Sequence, residues 1–296
     1  MKNKVLSRHY LLSIIACFSI FSFTPSLKAQ ALLPYTPELN SEFLDSYGSQ
    51  LLQDAIQLMR FREFEMALSR AKLAVQLSPS HYEPWFILGT LNIQAGEINA
   101  GVKALQEAKK IAPEDSSVLF SLGNSYFQLG DYESAVKELQ AGLKFNQEMP
   151  QAYFDLGNAY FKLTQYPEAT ASYQKAFKLE KEFWPAINNM GLVEYEKGEV
   201  NKAIESWRKA LTIDQNQAEP MLAIAVGLYH QGKKPEAIQL GKEALKIDNN
   251  YGDLDFLKEN LWGEKLLADS AKFFQNPEIK PLVGKKSSSP KESNSQ

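Results

Sequence analysis

Histidines, thiolates and converging carboxylates carry most side-chain chemistry near neutral pH, and this sequence uses them sparsely. His81 and His230 are the two histidines beyond the first thirty residues, and about half the chain separates them. No paired-histidine metal motif, glycine-rich phosphate loop or nucleophile elbow accompanies them. Acidic residues are numerous but scattered, as on solvated helix faces. The single cysteine is Cys17. If the chain is cleaved after Ala31, none remains, which removes disulfides, thiolate catalysis and cysteine metal sites together. The residues therefore predict no catalytic group, no metal and no cofactor, and the chain reads as a binding protein and not an enzyme. The side chains that do recur are asparagines and aromatics. Asparagine offers both a donor and an acceptor, so it can pair with the backbone of an extended peptide, while aromatic neighbours supply pockets for side chains.

The elements that would position them follow from a repeat of 34 residues. Stepping from Ala67 gives Gly101, Ala135, Ala169, Ala203 and Ala237; stepping from Ala74 gives Ala108, Gly142, Ala176, Ala210 and Ala244. A third column holds Gly89, Gly123, Gly157 and Gly191, with Ala55 and Ala225 at its ends, and Leu88, Leu122, Leu156, Met190 and Ile224 stand one residue earlier. Small residues at fixed steps let two helices approach closely, and neither helix can bury its apolar face alone. Gly96, Gly130, Gly198 and Gly232 fall where a first helix would end. Asp131 is placed to cap the second helix, and Pro167 and Pro235 fall in its first turn. No alternating strand pattern interrupts this span.

These columns resemble the tetratricopeptide repeat (TPR) family. Trp85, Leu88, Gly89, Gly101, Leu105, Ala108 and Pro113 carry the signature in one unit, and Tyr153, Leu156, Gly157, Tyr160, Ala169, Tyr173 and Ala176 in another. The resemblance implies an all-α fold, a right-handed solenoid of helix-turn-helix repeats. Six units fit residues 48–81, 82–115, 116–149, 150–183, 184–217 and 218–251. Residues 32–47 form an extended lead into the first helix, which is expected over 41–60. A capping helix is predicted over 252–276, with Gly263 kinking or dividing it, and a disordered tail over 277–296.

The resemblance also implies a ligand groove lined by the first helix of each repeat. Its register places Phe86, Phe120 and Phe154 in one column and Phe127, Phe161, Tyr195 and Tyr229 in a second. A third holds Asn124 and Asn158, with Asn188 and Asn189 nearby in the next repeat. Side chains of this stripe are expected to face away from the core and to hold a peptide across repeats three to five. Some family members clamp an acidic chaperone tail with basic groove residues. Here Phe120, Pro185 and Asn189 stand at those places, so the charge-assisted contacts are missing.

Location is read from the N-terminus. Lys2, Lys4 and Arg8 precede an apolar run from Leu11 to Phe23, too short for the roughly 20 residues of a membrane span. Ala29-Gln30-Ala31 fits a signal-peptidase site, so residues 1–31 read as a signal peptide. An uncleaved anchor is one alternative. Lipidation at Cys17, within Ile14-Ile15-Ala16-Cys17, is another; membrane contact is expected only in those two cases. The chain has 32 basic and 35 acidic residues. Four of the basic ones (Lys2, Lys4, Arg8, Lys28) and none of the acidic ones lie in 1–31, leaving 28 against 35, a net −7. That balance argues against nucleic acid. Phe183-Trp184-Pro185-Ala186-Ile187-Asn188-Asn189, Phe256 to Gly263 and Leu33-Pro34-Tyr35-Thr36 resemble segments of exported TPR proteins of cyanobacteria. The resemblance implies export to a periplasm or thylakoid lumen and protein or peptide partners. The leading expectation is a scaffold for envelope or lumen complexes. The alternative is a pilotin-like TPR lipoprotein that escorts an outer-membrane pore subunit.

Overall fold

A computed structural model describes residues 40–284. Contacts divide the chain into residues 1–41 and 42–296, and nearly all of the described fold lies in the second unit. The predicted signal over 1–31, Cys17 and residues 32–39 lie outside the described residues. Among the described residues there are fourteen α-helices and no strand, and no helix is long and apolar enough to cross a membrane.

Twelve helices form six antiparallel pairs. They are α1 (Ser41–Arg60) with α2 (Phe64–Leu77), α3 (Tyr82–Gln94) with α4 (Ile98–Ile111), and α5 (Ser116–Gln128) with α6 (Tyr132–Phe145). Then come α7 (Pro150–Lys162) with α8 (Tyr166–Leu179), α9 (Trp184–Glu196) with α10 (Val200–Ile213), and α11 (Ala218–His230) with α12 (Lys234–Ile247). Each pair packs on the next, and the odd-numbered helices α3, α5, α7 and α9 also touch in sequence. Those contacts place their exposed faces on one surface.

The small-residue columns have a steric cause. A Cβ at Gly123 would lie 2.6 Å from Leu139 Cγ, and one at Gly191 would lie 2.4 Å from Trp207 Nε1. The opposing column on the second helices runs Leu105, Leu139, Tyr173, Trp207, all almost fully buried. As its side chain grows, the first helix still presents only glycine. Asp131 accepts a hydrogen bond from the Ser134 N–H at 3.1 Å and caps α6. Between the helices of each pair one residue is left-handed, and its 34-residue step is unbroken. Gly96, Gly130, Gly198 and Gly232 have φ of 79–83°, while Arg62 (62°) and Thr164 (58°) hold the same place without being glycine.

After α12 the chain differs from expectation. The predicted single helix over 252–276 is a short 3-10 turn (Asn249–Gly252) followed by two helices, α13 (Leu254–Glu259) and α14 (Glu264–Phe274). The break centres on Leu261, whose φ is 66°. Gly263 is extended, at φ −77° and ψ 173°, so its freedom is not what divides the segment. It is glycine because a Cβ there would meet Glu196 Cδ at 2.3 Å. Nor is residue 277 the start of a disordered tail. Ile279 is fully buried, Lys242 pairs with Glu278 at 2.7 Å, and Asn249 donates to the Leu282 carbonyl at 2.7 Å.

Candidate functional site

The expected stripe divides into an open part and a covered part. In the open part, Asn124 and Phe127 on α5 and Asn158 on α7 line a cavity of about 220 Å³. Gln128 and Asp155 complete its wall. Gln151 donates to Asp155 Oδ1 at 2.8 Å, and Asn124 also hydrogen-bonds the carboxyl. Burial nonetheless pushes Asp155 up to about 6, against those two bonds. Phe86, Phe120 and Phe154 flank this surface half-buried. Phe154 packs against Tyr173 (centroids 5.8 Å apart) and edge-on to Phe183 (5.4 Å).

From the cavity a chain of buried polar contacts runs toward the C-terminal end. Asn158 Oδ1 accepts from Tyr173 OH at 2.8 Å and from Asn189 Nδ2 at 2.9 Å. Asn188 Nδ2 donates to Asn189 Oδ1 at 3.1 Å. Asn188 also bonds Glu219, as do Trp262 and Tyr251. Burial pushes Glu219 up to about 7, the three hydrogen bonds opposing it. Asn188 Oδ1 is buried with no hydrogen-bond partner among the described residues.

The covered part lies under the C-terminal segment. The column Asn124, Asn158 continues at Leu192 and Val226, and these two leucine-like positions are 1 % and 0 % exposed. With Leu222 they share one apolar cluster with Leu257, Trp262, Leu266 and Phe273. Glu196 ends α9 and caps α14: its Oε2 accepts from the Lys265 N–H at 3.1 Å and its Oε1 from the Leu266 N–H at 3.0 Å. The Lys265 ammonium returns to the Glu196 carbonyl. Tyr195 OH donates to Asp269 Oδ2 at 2.8 Å, His230 Nδ1 lies 2.9 Å from the same oxygen, and Tyr229 packs edge-on to Phe273 at 5.2 Å. Burial raises Asp269, but hydrogen bonds from Lys272 and Tyr195 and the charge of His230 outweigh it, and the net shift is downward. Desolvation pushes the Tyr195 hydroxyl well above the ordinary phenol range.

Several expected ligand contacts are therefore corrected. Asn188 (1 % exposed), Asn189 (6 %), Tyr195 (2 %) and Phe161 (6 %) are buried, and Tyr229 is under α14. Of the expected groove residues, Phe86, Phe120, Asn124, Phe127, Phe154 and Asn158, on repeats two to four, keep part of their surface exposed. Asn158 faces the cavity but also bears structure, because two buried donors depend on its carbonyl. Gln128 and Asp155 were missed in sequence, although Asp155 is readable as the one acid in the register Ser121, Asp155, Asn189, Ala223.

Paired helices in a 34-residue register with small-residue contacts define an all-α TPR solenoid. A TPR repeat model matches residues 123–164 and 191–226, and a tetratricopeptide repeat model matches residues 150–183. No curated protein matches the sequence significantly. Among solved structures, MamA is 25 % identical with a TM-score of 0.51, over 55 % of this chain and 96 % of that one. YrrB, described as a TPR protein with an unusual peptide-binding site, is 20 % identical with a TM-score of 0.54, over 58 % and 89 %. PilF of Pseudomonas aeruginosa is 15 % identical with a TM-score of 0.60, over 74 % and 98 %. The chain thus carries TPR repeats within residues 123–226 and has the fold of a TPR solenoid.

Proposed function

We propose that this chain is an exported scaffold that holds extended segments of other proteins along α1, α3, α5 and α7. In that role it aids assembly or stability of envelope or thylakoid-lumen complexes in a cyanobacterial host. The observation that carries the reading is the cavity between α5 and α7. It gathers Asn124, Gln128, Asp155 and Asn158 beside Phe127 on an open helix surface, which offers both donors and acceptors to a peptide backbone. The peptide-binding site described for YrrB supports the same use of the fold. The role is binding and not catalysis, and nucleic acid is not the partner.

Capture of partners from the native host tests this. Asn124→Ala and Phe127→Ala should each deplete the captured set while leaving helicity unchanged. Retention of every partner at wild-type strength would place the binding surface elsewhere. The Ile14–Cys17 box favours the second reading, a pilotin-like lipoprotein escorting an outer-membrane pore subunit. Mass spectrometry of the mature N-terminus separates the two: a start near Leu32 supports the scaffold, and a lipid on Cys17 supports the lipoprotein.

A further inference from the structure

We infer that the cavity between α5 and α7 is a subsite for one cationic side chain, a lysine or arginine of the bound segment, with Asp155 as its counterion. The inference rests on the proposed groove and names what that groove selects.

Three features lead there. The first is size. At about 220 Å³ the cavity falls below the roughly 300–1,000 Å³ of small-molecule sites, and it suits the head of one long side chain better than a metabolite. The second is the account of Asp155. An ionised carboxylate can accept about four hydrogen bonds; Gln151 and Asn124 supply two, both from neutral amides, and among the described residues no cation acts on it. An acid enclosed without a counterion is costly, and a ligand cation would relieve that cost. The third is the wall. Phe127 lines the same cavity, and an aromatic ring attracts a desolvated cation. Gln128 adds an amide oxygen of the kind a guanidinium or ammonium seeks, while Asn158 Oδ1 is already held by Tyr173 and Asn189. Among the described residues, no basic one lines the cavity. Lys162, seven residues further along α7, is instead influenced by Lys258 of the C-terminal segment, burial and that second charge both lowering it. An acidic ligand side chain would meet Asp155 with no compensating charge.

The test uses acetylated, amidated pentapeptides Ala-Ala-X-Ala-Ala, with X as Arg, Lys, Gln or Glu, titrated into the full chain. Binding is read from chemical shifts of the Asn124, Gln128 and Asn158 side-chain amides. A five-residue segment extends to about 17 Å, enough to seat X with one neighbour on each side. The Arg and Lys peptides should bind about ten-fold or more tighter than Gln, and Glu should be weakest. In Asp155→Asn, which keeps an oxygen for Gln151, that preference should vanish while the circular dichroism spectrum is unchanged. Equal binding of all four peptides would overturn the charge selection and leave the groove standing. No response to any peptide would overturn both. A preference for Arg that survives in Asp155→Asn would overturn the assignment of Asp155.

Discussion

Glu196→Gln should release α14 while leaving the first four repeats intact. The first turn of any helix has N–H groups without intrahelical partners, and Gly263 at the N-cap of α14 offers no side chain. Glu196 fills that place from 69 and 70 residues away, with one carboxylate oxygen on each of the Lys265 and Leu266 N–H groups. Hydrogen bonds to a charged group contribute about 1.5–3 kcal/mol each, and an anion at a helix N-terminus adds about 0.3–1 kcal/mol. Glutamine keeps one acceptor, turns an NH2 toward the other N–H and loses the charge. The net cost to docking is about 2–4 kcal/mol, on the order of 30- to 1,000-fold in the local opening equilibrium. Native-state hydrogen exchange reads this directly. Amides of residues 264–274 should lose protection by that factor, while those of α3 to α6 should not change, because repeats feel only their neighbours. Gly263→Ala attacks the same contact from the other side, since its Cβ would strike the Glu196 carboxyl. The two together should cost less than their sum. If α14 exchanges no faster in either variant, the carboxylate does not hold the helix and the covered-groove argument is wrong.

Other outcomes are expected. Thr164→Gly should raise the melting temperature, since a β-branched residue at φ 58° carries a left-handed penalty of about 1–2 kcal/mol, offset in part by the entropy of an unfolded glycine; a lower melting temperature would contradict this. Asn158→Ala should destabilise the fold by about 1–3 kcal/mol because it strips the acceptor from Tyr173 OH and Asn189. Asn124→Ala should not, and urea denaturation compares the two. Glu219, faced by Asn188, Trp262 and Tyr251, sits at about 7 in the fold against 4.5 ordinarily. A raised carboxyl stabilises most below its unfolded value, and that contribution declines as pH rises from about 4.5 to 7, up to roughly 3 kcal/mol in all. Across that window the melting temperature of wild type should therefore fall relative to that of Glu219→Gln as pH rises; a difference that does not change with pH would remove Glu219 from the account.

What the sequence made legible was whatever repeats. Small residues at 34-residue steps mark closely approaching helix pairs, and Gly96, Gly130, Gly198 and Gly232 mark their turns. Arg62 and Thr164 hid two turns because they adopt the same backbone without the usual residue. The covering of the groove was harder to see, since it depends on contacts between segments some 70 residues apart. Its trace is local all the same. One register changes from Asn124 and Asn158 to Leu192 and Val226, and an exposed ligand surface has no reason to become apolar at that point. Leu261 left no warning of the break between α13 and α14, because leucine is ordinarily at home inside a helix.

The staple from Glu196 to α14 also sets an order in time. All other packing of the repeats joins neighbours, so each pair can form as it leaves the ribosome. Leu192, Leu222 and Val226 wait for residues 254–284, which are made after them. At about 5–20 residues per second, the interval between finishing α11 and finishing α14 is roughly 2–9 seconds. During those seconds the nascent chain displays the greasiest part of its own groove, and a chain broken off before α14 displays it permanently. Stalled or clipped copies would thus carry a label of their own, an apolar strip that quality-control factors can read and that the finished protein hides.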